Sequence, residues 1–167
     1  MVDSDTTQTV LIIEDEEDVA DLYAQYLASD YRVVTAHTAA AGLERAEAAP
    51  DVVLLDRRLP DGTGEGLIPR LKAVGDDPRV AMATAVEPNV DIIAMGFDDY
   101  LLKPVDGQTL RAAVERLCAL EQLDEKQRIL SSKRLTRNLL EVEHPSAALA
   151  EHDEYRTLEQ EIAQLER

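Results

Sequence analysis

The architecture of this chain follows from one short segment, Asp51-Val52-Val53-Leu54-Leu55-Asp56, in which four apolar residues are followed by a carboxylate. Four similar runs lie in the first two thirds of the sequence. They are Val10-Leu11-Ile12-Ile13-Glu14-Asp15, Tyr31-Arg32-Val33-Val34-Thr35, Val80-Ala81-Met82-Ala83-Thr84 and Tyr100-Leu101-Leu102-Lys103-Pro104. Continuous apolar runs of this length are typical of strands in a parallel sheet that is buried on both faces.

Segments with helical spacing separate the apolar runs, and they cover residues 17–28, 39–48, 64–74, 88–95 and 107–121. Strand and helix therefore alternate five times. This alternation predicts an α/β fold of the flavodoxin-like type, with a doubly wound five-stranded parallel sheet in the order 2-1-3-4-5. Ligand sites in such sheets lie at the carboxyl ends of the strands, so we expect the polar residues that follow the runs to converge there.

The acidic composition of the chain disfavours some classes of binding partner. The 167 residues include 34 acidic and 17 basic side chains, which give a formal charge of −17, and this charge disfavours nonspecific binding to nucleic acids or anionic membranes. An acidic, lysine-poor surface suits concentrated salt, so we predict a halophilic host, with an ordinary acidic cytoplasmic protein as the alternative. Because the sequence contains neither a long apolar run nor a signal-peptide pattern, we expect a cytoplasmic protein that does not enter membranes.

The residues that end the runs suggest a magnesium-assisted reaction at an aspartate. Asp56 would lie at the rim of the sheet as a nucleophile toward a phosphoryl group. Glu14 and Asp15 end the neighbouring strand, and three adjacent carboxylates repel one another unless a hard cation such as Mg²⁺ joins them. Lys103 would supply positive charge and Thr84 a hydroxyl around the transferred oxygens.

This constellation resembles the receiver domain of two-component response regulators. The similarity covers residues 9–121 and is carried by five ordered motifs: Leu11-Ile12-Ile13-Glu14-Asp15-Glu16, Leu55-Asp56, Leu59-Pro60 with Gly64, Ala83-Thr84-Ala85, and Asp98-Asp99-Tyr100-Leu101-Leu102-Lys103-Pro104. The resemblance implies that Asp56 accepts a phosphoryl group from a sensor histidine kinase or another phosphodonor. It also implies that Glu14, Asp15, Asp56 and the backbone carbonyl of Arg58 bind Mg²⁺.

The same resemblance assigns Lys103 as the partner of the phosphate, and Thr84 with Tyr100 as the switch pair. The implied switch draws the Thr84 hydroxyl toward the phosphoryl group and lets the Tyr100 ring turn inward. Two departures from the family pattern stand out. Glu14 occupies a position where Asp is commoner, and the interval from Thr84 to Lys103 is about one helical turn short, which predicts a short fourth helix.

The chain divides into an N-terminal tail (1–8), a receiver domain (9–121) and a C-terminal helical segment (122–167) that is similar to the HalX domain of haloarchaeal regulators. Helices are predicted for residues 122–143 and 146–167, as a hairpin or a coiled coil. Five basic residues lie between 126 and 137. They would either pair with the acidic second helix, which is the favoured reading, or contact the phosphates of DNA.

The sequence thus predicts a response regulator that is not an enzyme, apart from its self-catalysed phosphoryl transfer and dephosphorylation. Its output would be dimerisation, docking to a partner or control of transcription. The alternatives are a DNA-binding regulator that acts through residues 126–137, a pseudo-receiver, and a haloacid-dehalogenase-like phosphatase. That phosphatase family would need a second Asp two residues after the nucleophile, where this chain has Arg58.

Overall fold

The computed structural model describes residues 7–167, so most of the predicted tail 1–8 lies outside the described part. Its strands are β1 (Thr9–Ile13), β2 (Arg32–Ala36), β3 (Val52–Leu55), β4 (Arg58–Leu59), β5 (Gly62–Thr63), β6 (Arg79–Thr84) and β7 (Asp99–Leu102). Its helices are α1 (Glu17–Leu27), α2 (Ala39–Ala46), α3 (Gly64–Val74), α4 (Gly107–Ala119), α5 (Glu125–Glu143), α6 (Ser146–Leu149) and α7 (Asp153–Leu165). Short 3-10 helices cover Val90–Ala94 and Leu120–Gln122.

Five strands form one parallel sheet in the order β2-β1-β3-β6-β7. This is the predicted order 2-1-3-4-5, because β4 and β5 pair only with each other as a small antiparallel ribbon beyond β3. The central strand β3 is buried along its whole length, as expected for a strand with helices on both faces. The predicted flavodoxin-like fold is confirmed.

Alternate residues of the strands enter two separate apolar cores, one on each face of the sheet. On one face α1 and α4 enclose a core that includes Ile12, Leu54 and Leu110. On the other face α2 and α3 cover a core that also contains Phe97 and Tyr100. We call this second set of residues the switch-side core, because it contains the predicted switch residue Tyr100.

The prediction of a helix at residues 88–95 is correct in place but wrong in type, since the structure has a 3-10 helix of five residues there. The Asn89 side chain accepts a hydrogen bond from the Val90 amide at 2.9 Å and starts the helix. Gly96 follows it with a φ of +78°, in the left-handed region. A segment this short leaves part of the sheet face uncovered.

The C-terminal helices fill that part of the face. Leu140, Leu149 and Tyr155 belong to the switch-side core, together with Ile92 of the 3-10 helix. We call residues 125–165 the helical tail. Its first helix starts at a capping box made by Asp124 and Gln127, whereas the single helix predicted for 146–167 is divided into α6 and α7.

The helical tail folds back on itself as the predicted hairpin. Lys133 Nζ lies 2.6 Å from Glu161 Oε2, and Arg134 Nη2 lies 3.0 Å from Glu166 Oε1. These contacts join α5 to α7 in antiparallel order. The other basic residues of 126–137 have different partners. Lys126 donates to the Arg167 carbonyl, and Arg137 pairs with Glu141 on the same helix. Arg128 pairs with Asp77 and Asp98, which lie outside the tail. No helix within residues 7–167 is long and apolar enough to cross a membrane.

Candidate functional site

The carboxyl ends of the central strands bring three predicted site residues together. The Asp56 amide donates to the Ile13 carbonyl at 2.9 Å, which continues the pairing of β1 with β3 up to the first acidic residue. Lys103 follows β7, and its Nζ lies 3.0 Å from Asp56 Oδ2 and also forms an ion pair with Glu14. Lys103 therefore bridges two carboxylates that are both buried.

Glu14, Asp15 and Asp56 form an acidic cluster in which each residue offers one oxygen, and these oxygens lie within 4.8 Å of one another. Asp15 is exposed, while Glu14 and Asp56 are only 2% and 8% exposed. When all three carboxylates are ionised, the single charge of Lys103 leaves two negative charges uncompensated. Hard oxygen ligands with excess negative charge are what Mg²⁺ prefers, so the residues present fit this ion.

The pKa values of Glu14 and Lys103 reflect this excess of negative charge. Burial raises the pKa of Glu14 to about 7; the hydrogen bond from Lys103 opposes this rise, and the neighbouring Asp56 and Asp15 add to it. Burial alone would lower the pKa of the Lys103 ammonium, but its hydrogen bonds to Glu14 and Asp56 outweigh burial and raise it. Lys103 thus keeps its charge, whereas burial disfavours the charged form of Glu14.

The loop after β3 is shaped by close backbone contacts. The Arg58 amide donates to Asp56 Oδ1 at 3.2 Å, and the Gly64 amide donates to the Arg57 carbonyl at 2.7 Å. A Cβ atom on Gly64 would lie 2.2 Å from the Asp56 carbonyl oxygen, so only glycine fits there. The Arg58 carbonyl remains a predicted metal ligand.

The predicted switch residues lie on neighbouring strands. Thr84 ends β6, is 1% exposed, and its hydroxyl accepts a hydrogen bond from the Val86 amide at 3.3 Å. Tyr100 is 4% exposed, and its hydroxyl donates to the Val86 carbonyl. Both side chains therefore contact the same residue of the loop after β6. The Lys103–Pro104 peptide bond near the site is cis.

The contacts of three further polar side chains were not predicted from the sequence. A ring nitrogen of His37 lies 2.9 Å from the Glu14 carbonyl oxygen. Asp61 accepts hydrogen bonds from the amides of Ala39 and Ala40 and so caps α2 from a distant loop. Arg57, which directly follows the predicted nucleophile, forms ion pairs with Glu65 and Asp91. Only the position of Arg57 beside Asp56 offered a signal in the sequence.

Two protein families match the sequence of this chain. The response regulator receiver domain matches residues 10–115, and the HalX domain matches residues 119–167. A proposed transcriptional regulator of Haloferax volcanii is 44% identical over 111 residues, which cover 66% of this chain and 19% of that protein. The sensor histidine kinase TmoS of Ectopseudomonas mendocina is 30% identical over 118 residues, which cover 67% of this chain and 12% of the kinase.

Solved structures show the same fold. The CheY-like response regulator receiver domain of Methanospirillum hungatei superposes with a TM-score of 0.66 at 26% identity, covering 71% of this chain and all of the other. The present chain spans less than a fifth of the length of both sequence relatives named above. The receiver match extends over more than half of the chain. The chain therefore belongs to the response regulator receiver domain family, and its C-terminal part is a HalX domain.

Proposed function

We propose that this protein is the response regulator of a two-component phosphorelay and that Asp56 is its phosphoacceptor. The observation that carries the proposal is the bridge from Lys103 Nζ to both Asp56 and Glu14, with Asp15 completing the acidic cluster. The receiver domain would comprise residues 9–121 and the HalX domain residues 122–167. A relative that is itself a sensor histidine kinase supports a phosphohistidine as the donor.

In the proposed reaction an Asp56 carboxylate oxygen attacks the donor phosphorus. A P–O bond forms and the P–N bond to the donor imidazole breaks; the ring leaves with the bond's electron pair and takes up one proton from solvent to become neutral imidazole. Lys103 neutralises part of the charge on the transferred oxygens, and the Thr84 hydroxyl donates to one of them. Glu14, Asp15, Asp56 and the Arg58 carbonyl would hold Mg²⁺, which supplies further charge neutralisation.

The protein would act stoichiometrically, as a phosphoacceptor that also catalyses its own dephosphorylation, rather than as an enzyme with a separate substrate. The haloacid-dehalogenase-like alternative is not supported, because Arg58 replaces its second Asp and the matching family is the receiver. A pseudo-receiver would need a damaged site, whereas here Lys103 contacts both buried acids.

Output through transcription is supported by the Haloferax relative, which is itself a proposed transcriptional regulator. Direct DNA binding by residues 126–137 is a weaker candidate, since Lys133 is paired with Glu161 of α7 and Arg134 with Glu166, which directly follows α7. Homodimerisation through the output face or the C-terminal helices remains a prediction, and light scattering with and without Mg²⁺ and acetyl phosphate would test it.

The direct test is phosphorylation by acetyl phosphate with Mg²⁺, followed by intact-protein mass spectrometry. Wild type should gain one phosphoryl group, and Asp56→Asn should gain none. Asp21→Asn is the matched control, because Asp21 is an exposed acid on α1 and its substitution changes the charge equally. Labelling of Asp56→Asn at the wild-type rate would overturn the assignment.

A further inference from the structure

Arg57 lies at the point where the phosphoacceptor loop meets the switch-side core. The residue is buried, with only 9% of its surface exposed. The guanidinium pairs with Glu65 at the start of α3 at 3.5 Å and with Asp91 in the 3-10 helix. Burial raises the pKa of the Tyr100 hydroxyl, and the positive charge of Arg57 opposes this rise.

This buried cation is not fully satisfied. Arg57 Nη1 is buried and has no hydrogen-bond partner within residues 7–167. An arginine that loses water without replacing all of its hydrogen bonds is costly unless its charge is compensated by nearby acids. The attraction to Asp91 therefore holds the 3-10 helix against the end of β3.

The segment on which Arg57 acts also supports the helical tail. We call residues 85–94 the linking segment. A ring nitrogen of His144 lies 3.1 Å from the Pro88 carbonyl oxygen, and Ile92, which is fully buried, shares the switch-side core with Leu140 and Tyr155. Both α5 and α7 contact the 3-10 helix. A shift of the linking segment would thus disturb the packing of the helical tail against the switch-side core.

The linking segment starts directly after Thr84, one of the proposed site residues. Thr84 accepts its hydrogen bond from the Val86 amide, and Val86 in turn accepts from Tyr100. The segment is therefore held by Thr84 at its start and by Arg57 through Asp91 near its end.

We propose that Arg57 is a positioning residue that couples the state of Asp56 to the helical tail through its ion pair with Asp91. The proposal rests on the proposed function of Asp56. In the unphosphorylated protein the ion pair keeps the linking segment in place and the tail docked. A phosphoryl group on Asp56 draws the Thr84 hydroxyl away from the Val86 amide, and the linking segment then shifts against the restraint of Arg57 and loosens the tail.

If the ion pair between Arg57 and Asp91 holds the linking segment in place, removing it should loosen the tail without phosphorylation. Asp91→Asn keeps the shape of the side chain but removes its charge, and the position is half-exposed, so the protein should still fold. Arg57→Met removes the cation, and Arg57→Lys restores it. Partly exposed ion pairs contribute up to ~1 kcal/mol, which corresponds to about a fivefold change in an opening equilibrium.

The experiment is amide hydrogen exchange of the full chain, with and without Mg²⁺ and beryllium fluoride as a stable phosphoryl analogue. In wild type we expect the analogue to speed exchange in α5 and α7. In Asp91→Asn and Arg57→Met, exchange there should already be about twofold to fivefold faster and should respond less to the analogue. Arg57→Lys should recover part of the wild-type protection and response.

The matched control is Arg111→Met, which removes an exposed cation from α4 and should leave tail exchange unchanged. Wild-type protection and response in Asp91→Asn would overturn the coupling, whether or not Arg57→Met remains folded. If acetyl phosphate labels Asp56 and the tail does not respond to the analogue, the coupling fails while the phosphoacceptor assignment stands. Absence of labelling at Asp56 would instead remove the proposed function itself.

Discussion

Lys103 Nζ lies 3.0 Å from Asp56 Oδ2 although 47 positions separate the two residues in the sequence. The contact arises because β3 and β7 both end at the same edge of the sheet, with β6 between them. The ammonium also touches Glu14, so one side chain balances the charge of the proposed nucleophile and of a proposed metal ligand. The first two predictions below depend on this small set of charges.

Replacement of Lys103 by Met should slow labelling by acetyl phosphate about 100-fold, because the transferred oxygens lose a preorganised cation. The rate is measured by mass spectrometry under saturating Mg²⁺. Arg111→Gln, an exposed change on α4, should label at the wild-type rate. An undiminished rate in a folded Lys103→Met protein would show that the ammonium is not part of the reaction.

Affinity for Mg²⁺ should rise with pH and level off above about pH 7. Because burial, and to a lesser degree Asp56 and Asp15, raise the pKa of Glu14 to about 7 against the opposing contact with Lys103, this carboxyl is protonated at lower pH and must lose its proton to bind the ion. Linkage of one proton gives up to about a tenfold change in affinity per pH unit below that pKa.

Titration calorimetry in buffers of different ionisation enthalpy would count the released proton. Glu14→Gln cannot titrate, so its remaining affinity should vary less with pH between 6 and 8, a range of about two units around the raised pKa. Equal pH profiles for wild type and Glu14→Gln would contradict the assignment of Glu14 as the titrating ligand.

The convergence of the site was predictable because it follows from topology. Once Asp51–Asp56 and Tyr100–Pro104 are read as parallel strands, the doubly wound order places Asp56 and Lys103 near each other without knowledge of any side-chain contact. The same reasoning located the 3-10 helix approximately. Its type was missed, because the choice between 3-10 and α geometry depends on local hydrogen bonds such as the one from Val90 to Asn89.

The docking of the helical tail was not predictable from periodicity. The positions of Leu140 and Tyr155 in the sequence do not show whether they face a partner helix, another chain or the sheet. Packing within the hairpin alone would have explained the helical spacing of these apolar residues. In the structure both residues pack in the switch-side core, beside Ile92 of the short 3-10 helix. The role of Asp61 was hidden for a similar reason, since a carboxylate that caps α2 acts across 22 positions of sequence.

Gly64→Ala should destabilise the protein by at least about 1–3 kcal/mol, the usual cost of forcing an extra methyl group into a packed site. The added Cβ would lie 2.2 Å from the Asp56 backbone oxygen, so phosphorylation should slow as well. Gly66→Ala is the control, because its Cβ meets only the Thr63 hydroxyl at 3.2 Å and alanine favours a helix by about 1 kcal/mol. Urea unfolding curves that coincide for the two variants would contradict the close approach.

The melting temperature should rise when KCl is increased from low to molar concentration. The chain carries a formal charge of −17, and salt screens the repulsion among its acids within about 3 Å at 1 M. A gain of 1 kcal/mol would raise the melting temperature by about 2–4 °C in a chain of this size. A melting temperature that falls with added KCl would show that the ion pairs, which salt weakens, matter more than the net repulsion.

Leu140→Ala should destabilise the entire protein by about 2–5 kcal/mol, the range typical of a large-to-small change at a buried site. Leu140 is fully buried and shares the switch-side core with residues of the sheet. Val142→Ala lies on the same helix but is 82% exposed, so it should change stability by less than about 0.5 kcal/mol. Because the tail and the sheet share one core, far-ultraviolet circular dichroism and exchange of β6 amides should report one common transition in Leu140→Ala. A separate early transition of the tail, with β6 unaffected, would mean that the helical tail packs against the sheet without contributing to its stability.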